Sequence, residues 1–240
     1  MMRSWQYPRS PTRHPLMAVL KRDEPSRRAP AGYESGPDAT NRATAHALAQ
    51  LDKAVAVVLV EGVSDQIALE TAAVSCGRDL GAEGTVIMPI GGAHAIGRFL
   101  TRLDPQRTRR RIAGLCDLRE EEIFRRGLVA ANIGSPSTRT DMERLGFYVC
   151  VSDLEDELIR AVGTEAIEAL FDAHDDLRSF RSFQSQPAWR GRDPAAQLYR
   201  FVRSSSVRNL RYAQFLVEAA AHRDRLPRPL TALLAAVGPS

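Results

Sequence analysis

The sequence has no long apolar run, few cysteines and almost no lysine. No stretch approaches the roughly 20 apolar residues that a helix needs to cross a bilayer, and the N-terminus lacks the apolar core of a secretory signal. A cytoplasmic protein is therefore expected. The three cysteines are odd in number and widely spaced, and the five histidines show no metal-ligand spacing, so neither a disulfide framework nor a zinc site is expected.

Scarcity of lysine also bears on nucleotide binding. Only Lys21 and Lys53 occur, and no GxxxxGK[ST] motif is present, which excludes a P-loop site within this sequence. The net charge of +4 and the pI of about 9.2 are mildly basic. This balance permits nucleic acid as a partner without requiring it.

The residues that are present divide the chain into three parts. Residues 1–42 are rich in Pro, Arg, Ser and Gly and lack hydrophobic periodicity, which predicts a disordered leader. Residues 43–163 alternate apolar strand-like runs, at 55–60, 85–90, 110–116 and 146–151, with helical segments. This alternation predicts an α/β fold with a four-stranded parallel sheet covered by helices. Residues 164–240 are helical in pattern only, and the LPRPL run at 226–230 predicts a helix stop.

Carboxylates follow three of the four predicted strands. Glu61 ends the first strand and Asp65 lies one helical turn later, Asp117 ends the third, and Asp153 and Glu155 follow the fourth. Ligands of open parallel sheets bind beyond the carboxyl ends of the strands, where these side chains would meet. Clustered carboxylates repel each other unless a cation lies among them, and their hard oxygens suit Mg²⁺ or Mn²⁺.

Each of these features also has a structural interpretation. The pairs Asp117 with Glu120 and Ser152 with Glu155 have the spacing of helix capping boxes. Glu61 is harder to interpret as a cap, because Ser64 is the more natural N-cap of the next helix. The glycines at 91 and 92 fit a plain turn or a phosphate cradle, and the cysteines beside the carboxylates fit small core residues.

The stretch VLVEGVSDQIALE, residues 58–70, resembles the first motif of the Toprim domain, a metal-dependent catalytic module. The glycine turn after the second strand, the acidic end of the third strand in GLCDLREEE and the acidic DLEDEL after the fourth strand arrive in the order of that domain. The chain is most similar to the Toprim nuclease domain of the overcoming-lysogenization-defect (OLD) family, which has a late acidic D-x-E element. Asp153 and Glu155 match that element.

The sequence departs from the family pattern in three ways. Toprim domains usually have D-x-D after the third strand, whereas Arg119 here takes the place of the second aspartate, and Glu120 or Glu121 compensates only if the turn differs. Full-length OLD proteins carry an ATPase domain that this sequence does not contain, so a separate ATPase chain is a candidate partner. No lysine follows Lys53, and Arg208 and Arg211 are the nearest substitutes for the late lysine of related nucleases.

The resemblance implies a Rossmann-like Toprim catalytic domain over 43–163, followed by the helical region of 164–240. It further implies Mg²⁺ or Mn²⁺ held by Glu61, Asp65 and Asp117, with a second ion at Asp153 and Glu155, and a catalytic contribution from Arg208 and Arg211. The expected activity is endonucleolytic phosphodiester hydrolysis, with DNA favoured over RNA. The alternative is a catalytically weak Toprim-like module that binds nucleic acid or a partner ATPase.

The C-terminal helical region is the expected nucleic-acid surface. Its arginines are interleaved with aromatics such as Phe180, Tyr199 and Tyr212, a composition that fits backbone neutralisation with base stacking on single strands. A helical bundle with core aromatics and solvated arginines fits the same composition. The arginines expected to bind nucleic acid are Arg178, Arg181, Arg200, Arg203, Arg208 and Arg211.

Overall fold

The computed structural model describes residues 29–103 and 110–238. Within them a single four-stranded parallel sheet has the order β2-β1-β3-β4, which confirms the predicted fold class. Most of the leader expected over 1–42 lies outside the described residues. The strands are β1 (Ala56–Val60), β2 (Thr85–Pro89), β3 (Arg111–Asp117) and β4 (Phe147–Cys150).

Helices connect the strands and follow the last one. A short 3₁₀ turn at 51–53 precedes β1, and two more, at 93–95 and 118–120, precede the helices that follow β2 and β3. Within the described residues, no helix combines the length and the apolar character needed to cross a membrane. The helices are α1 (Ala39–Gln50), α2 (Val63–Ser75), α3 (Ile96–Leu103), α4 (Glu121–Ala130), α5 (Arg139–Arg144), α6 (Leu154–Val162), α7 (Thr164–Ala173), α8 (Leu177–Gln184), α9 (Pro194–Val202), α10 (Ser206–Ala221) and α11 (Arg228–Ala236).

The sheet is buried on both faces, as its continuous apolar strands predict. In β1, Val57 and Leu59 pack with α3 and α4, whereas Val58 and Val60 face α2 and the C-terminal helices. Every residue of β1 is fully buried. Because both faces are covered, the carboxyl ends of the strands are where the sheet can present polar groups to a ligand.

The C-terminal helices share the hydrophobic core of one sheet face. Phe171 is in edge-to-face contact with Phe180, Phe201 and Tyr212, with ring centroids 5.0–5.1 Å apart. All four rings are buried. These four aromatics therefore serve as core residues and are not available to stack on bases, whereas Tyr199 is half-buried.

Two local features differ from the expected pattern. The helical pattern after residue 164 is interrupted between α7 and α8, where Asp175 has a left-handed conformation (φ 59°). The LPRPL run begins a helix instead of ending one, because Pro227 is the N-cap of α11 and Pro229 lies in its first turn. Proline is tolerated there, since first-turn N–H groups have no intrahelical partner.

Candidate metal centre

Glu61 and Asp117 come together because they end two neighbouring strands. Glu61 directly follows β1, Asp117 is the last residue of β3, and the two strands pair in parallel. The backbone N–H of Asp117 donates to Oε1 of Glu61 across 3.3 Å. The sheet itself therefore positions the two carboxylates that the sequence predicts as metal ligands.

The glycine turn after β2 holds the backbone of Glu61. The N–H groups of Gly91 and Gly92 donate to the Glu61 carbonyl oxygen at 3.1 and 3.2 Å. Both glycines have positive φ, 78° and 104°, which side chains with a Cβ adopt only under strain. Because both amides are used by Glu61, the pair acts as a turn that fixes the end of β1, and not as a phosphate cradle.

The third carboxylate at this position is Glu120. After Asp117 the chain forms a 3₁₀ turn, Leu118–Glu120, and this turn places Glu120 beside Glu61 and Asp117. One oxygen from each of the three residues lies within 4.8 Å of the others. Oε2 of Glu120 is buried and has no hydrogen-bond partner, as expected for an oxygen ligand that faces a cation. The residues present thus fit a divalent ion.

The residues on either side of Glu120 point elsewhere. Glu121 pairs with Arg125 and with Arg139, whose Nε lies 2.8 Å from its Oε2. Arg119 is exposed. The turn therefore selects Glu120 over Glu121 as the compensating carboxylate, and the arginine at the D-x-D position does not enter the cluster.

Asp65 lies next to the three-carboxylate cluster and also caps α2. Its Oδ2 accepts from the N–H of Gly62 at 2.9 Å, so the N-cap is Gly62 and not Ser64. Burial, followed by the nearby charges of Glu155 and Glu61, raises the pKa of Asp65 to about 8. Asp65 therefore lies within the electrostatic field of the cluster, and one of its oxygens is hydrogen-bonded at the start of α2.

Asp153 and Glu155 lie at the end of β4 and form a buried pair. Asp153 is the N-cap of α6, accepting from the N–H of Asp156 at 2.8 Å, so that the expected Ser152 cap is replaced by its neighbour. Nη1 of Arg203 lies 2.8 Å from Asp153 and 3.6 Å from Glu155. This pair therefore already has a cation from the protein.

Electrostatic repulsion links all of these carboxylates. Burial, then the charges of Asp65 and Glu61, raise the pKa of Asp117 to about 9. Burial also raises the pKa of Glu61, and Glu120, Glu155 and Asp153 add to that shift, although the Asp117 N–H opposes it. A cation among these groups would relieve the repulsion and return them to the ionised state.

Arg208 and Arg211 are positioned by a different carboxylate. Asp176, which precedes α8, lies 3.4 Å from Nη2 of Arg208 and 3.5 Å from Nη1 of Arg211. Asp176 also accepts from the hydroxyl of Tyr212 at 3.0 Å. Arg208 additionally lies over the ring of Phe201, 4.1 Å from its centroid. Both arginines are thus held at the C-terminal core by ion pairs with Asp176.

The other four arginines expected on the nucleic-acid surface are all exposed, and two of them are also ion-paired. Arg181 forms an ion pair with Glu168 at 2.6 Å, and Arg203 is held by Asp153 and Glu155. Arg178 and Arg200 are exposed. Of the six expected arginines, Arg211 is buried and Arg208 is half-buried, and two of the four exposed ones already have an acidic partner.

The cysteines near the carboxylates are core residues. Cys116 and Cys150 are buried, whereas Cys76 is exposed. Burial, then the neighbouring carboxylates, raise the pKa of both buried thiols, so they stay protonated and are poor nucleophiles.

Sequence reasoning missed the contacts that α9 and α10 make with the acidic pair. The Tyr199 hydroxyl donates to Asp153, and the side chain of Asn209 is hydrogen-bonded to Glu155. These partners are about 50 residues apart in the chain, so hydrophobic periodicity carries no signal for them. A comparison of many related sequences could have indicated the contact with Asp153, if a Tyr and an Arg always occurred at the same distance after the D-x-E element.

Comparison with known proteins gives a consistent result. A family model described as the TOPRIM domain of overcoming lysogenization defect protein-like proteins matches residues 54–118. The C-terminal region of the Xanthomonas campestris pv. campestris OLD protein is 20% identical and has a TM-score of 0.56, covering 78% of this chain and 94% of that one. The C-terminal region of the Burkholderia pseudomallei OLD protein is 17% identical, with a TM-score of 0.52 and coverage of 77% and 96%.

A comparison with curated proteins found no match. The family model spans both Glu61 and Asp117, and the structural likeness covers a larger share of the chain, 78%. Residues 54–118 therefore match the Toprim domain of OLD-like proteins, and the described residues have the fold of these OLD C-terminal regions.

Proposed function

We propose that this protein hydrolyses phosphodiester bonds of nucleic acid with a divalent ion, as a Toprim endonuclease of the OLD type. The observation that carries the proposal is the convergence of Glu61, Asp117 and Glu120 at the mouth of the sheet, with the buried Oε2 of Glu120 left without a partner. Hard oxygen donors of this kind suit Mg²⁺ or Mn²⁺. DNA is favoured over RNA as the substrate.

The three clustered carboxylates would hold the ion. When bound, the ion supplies Lewis-acid stabilisation of the charge that develops on the phosphate. The N–H of Asp117 orients Glu61 through Oε1, and the glycine turn fixes its backbone. Asp65 lies beside them with its Oδ2 accepting from the Gly62 N–H, and would add its negative charge to the surroundings of the ion.

Exposed arginines would bind the backbone of the substrate. Arg119 lies in the same 3₁₀ turn as Glu120, between two of the proposed ion ligands, and is exposed. Arg178 and Arg200 are exposed on α8 and α9. A guanidinium binds phosphate through paired N–H donors and remains charged at all working pH values, so these residues can orient a strand but not remove a proton.

A cleavage assay tests this function. Purified protein is incubated with supercoiled plasmid, single-stranded DNA and single-stranded RNA in Mg²⁺, Mn²⁺ or EDTA. We expect cleavage that requires the metal and that Glu61→Gln lowers by at least about 100-fold, since a ligand carboxylate becomes a neutral amide. Glu122→Gln is the matched control, because Glu122 follows in the same acidic run but is exposed and faces Arg126. Cleavage that persists in EDTA, or no cleavage with either metal, would rule out the proposal.

A second candidate function is a catalytically weak module that binds nucleic acid or a partner ATPase. The observation in its favour is the ion pair that Arg203 makes with Asp153 and Glu155, which occupies carboxylates that the family resemblance assigns to metal. Gel-shift binding of DNA by the wild type, without cleavage in either metal, would favour this module over a nuclease.

A further inference from the structure

Arg203 is held against the buried carboxylate pair at the end of β4. It directly follows α9, and its Nη1 lies 2.8 Å from Oδ2 of Asp153 and 3.6 Å from Oε2 of Glu155. Asp153 and Glu155 are only 6% and 8% exposed. Buried carboxylates need a compensating charge, and here a guanidinium provides it.

The guanidinium is positioned by more than charge. Tyr199, one helical turn earlier in α9, donates its hydroxyl to the same Oδ2 of Asp153. Nη1 of Arg203 also lies 2.7 Å from that hydroxyl, and the guanidinium lies over the Tyr199 ring, 5.1 Å from its centroid. Helix α9 packs on α6 through the shared core, so packing fixes the positions of the helix before Arg203 and of the helix that contains Glu155.

The pair is electrostatically connected to the three-carboxylate cluster. Asp153 and Glu155 raise the pKa of Glu61, and Asp117 contributes to raising that of Arg203. Burial by itself lowers the pKa of Arg203, but Glu155, Tyr199 and Asp153 more than offset it. An arginine cannot be deprotonated in this setting, so its charge stays beside the cluster at any working pH.

We propose that Arg203 is the resident cation of the Asp153–Glu155 pair, so that this chain binds one divalent ion, at Glu61, Asp117 and Glu120, instead of two. The inference rests on the proposed function for the first ion. A second ion would have to displace a positioned guanidinium from both carboxylates. Arg203 would then supply, as a fixed positive charge next to the ion, part of the stabilisation that a second ion gives in a two-ion nuclease.

Mn²⁺ stoichiometry tests the proposal without an activity measurement. Isothermal titration with MnCl₂ should give one ion per wild-type chain, and electron paramagnetic resonance should show an uncoupled Mn²⁺ signal. Arg203→Met should bind two ions, with a spin-coupled pair, because two buried carboxylates lose their cation. Arg203→Lys keeps the charge and should bind one. Arg200→Met, which replaces an exposed arginine in the last turn of α9, is the matched control and should also bind one.

A variant that leaves Arg203 in place guards against misfolding of Arg203→Met. Glu155→Gln in the otherwise wild-type chain should still bind one ion, whereas in a two-ion centre with Glu155 as a ligand it would lower the number from two to one. Two ions in the wild type, or one ion in folded Arg203→Met, would overturn the role of Arg203 and leave the proposed function standing. No ion in the wild type would overturn both.

Discussion

At the scale of single residues, two neighbouring glutamates have opposite surroundings. Glu120 faces Glu61 and Asp117 with a buried oxygen that has no partner, whereas Glu121 is ion-paired with Arg125 and Arg139. We expect Glu120→Gln to weaken Mn²⁺ binding by about tenfold or more, because a charged ligand becomes neutral. Glu121→Gln should leave the affinity within about twofold. Isothermal titration of both variants measures the difference, and equal losses would show that the 3₁₀ turn does not select Glu120.

The raised pKa of Asp117 predicts how stability depends on pH in the metal-free protein. Its folded pKa of about 9 exceeds that of an unfolded aspartate, about 3.9. Between these values the unfolded chain has lost the proton that the folded state retains, so stability falls as the pH rises through this window. Asp65, with a folded pKa of about 8, acts in the same direction. In EDTA, the melting temperature should therefore decrease from pH 5.5 to pH 9.

Asp117→Asn isolates this contribution. The amide is neutral at every pH, so the variant should have a flatter profile and should melt at a higher temperature than the wild type in EDTA at pH 8. Carboxylates with lowered pKa, such as Asp141, titrate below this window and do not interfere. Differential scanning calorimetry measures both profiles. In excess Mg²⁺ the order should reverse, because the ion stabilises the ionised wild type. A wild-type profile that rises towards pH 9 in EDTA would contradict the proposed repulsion.

At the scale of secondary-structure elements, the strands and their ends are predictable. Each apolar run became a strand within about a residue of its predicted bounds, because a sheet covered on both faces requires continuous apolar segments. The carboxyl ends of neighbouring parallel strands lie at one edge, so Glu61 and Asp117 could be placed together before any coordinates. This is why the first two proposed ligands follow from the sequence.

The turns and caps are less predictable, since they depend on a few dihedral angles. The 3₁₀ turn after β3 decides between Glu120 and Glu121, and nothing in LREEE distinguishes these two residues. Gly62 caps α2 although Ser64 is nearby, because the side chain of Asp65 accepts a hydrogen bond from the Gly62 N–H. The contact of Arg203 with Asp153 depends on how α9 packs on α6, which is a tertiary property with no local pattern.

At the scale of the whole molecule, the C-terminal helices and the Toprim sheet form one packed unit. One hydrophobic cluster contains Val58 and Val60 of β1 together with Phe171, Phe201 and Leu233 of the C-terminal helices. Helix α10 also packs against α2, which begins with the Gly62–Asp65 cap, through Leu210 and Ala213. The helical region and the helices that follow β1 and β4, α2 and α6, therefore share one hydrophobic core.

Asp176 provides a test of whether Arg208 and Arg211 serve this packing or the chemistry. Asp176 is 7% exposed, forms ion pairs with Arg208 and Arg211, and accepts a hydrogen bond from the hydroxyl of Tyr212. Replacing one partner of a buried ion pair costs about 3 kcal/mol or more, because the remaining charge is less well compensated. We expect Asp176→Ala to lose that much free energy of unfolding in urea, while Mn²⁺ affinity stays within about twofold under native conditions.

Asp172→Ala, on the exposed side of α7, is the control and should change stability by about 0.5 kcal/mol or less. If Asp176→Ala instead kept its stability and lost DNA cleavage at unchanged Mn²⁺ affinity, the two arginines would be held by Asp176 for the phosphate, as the resemblance to late-lysine nucleases implies.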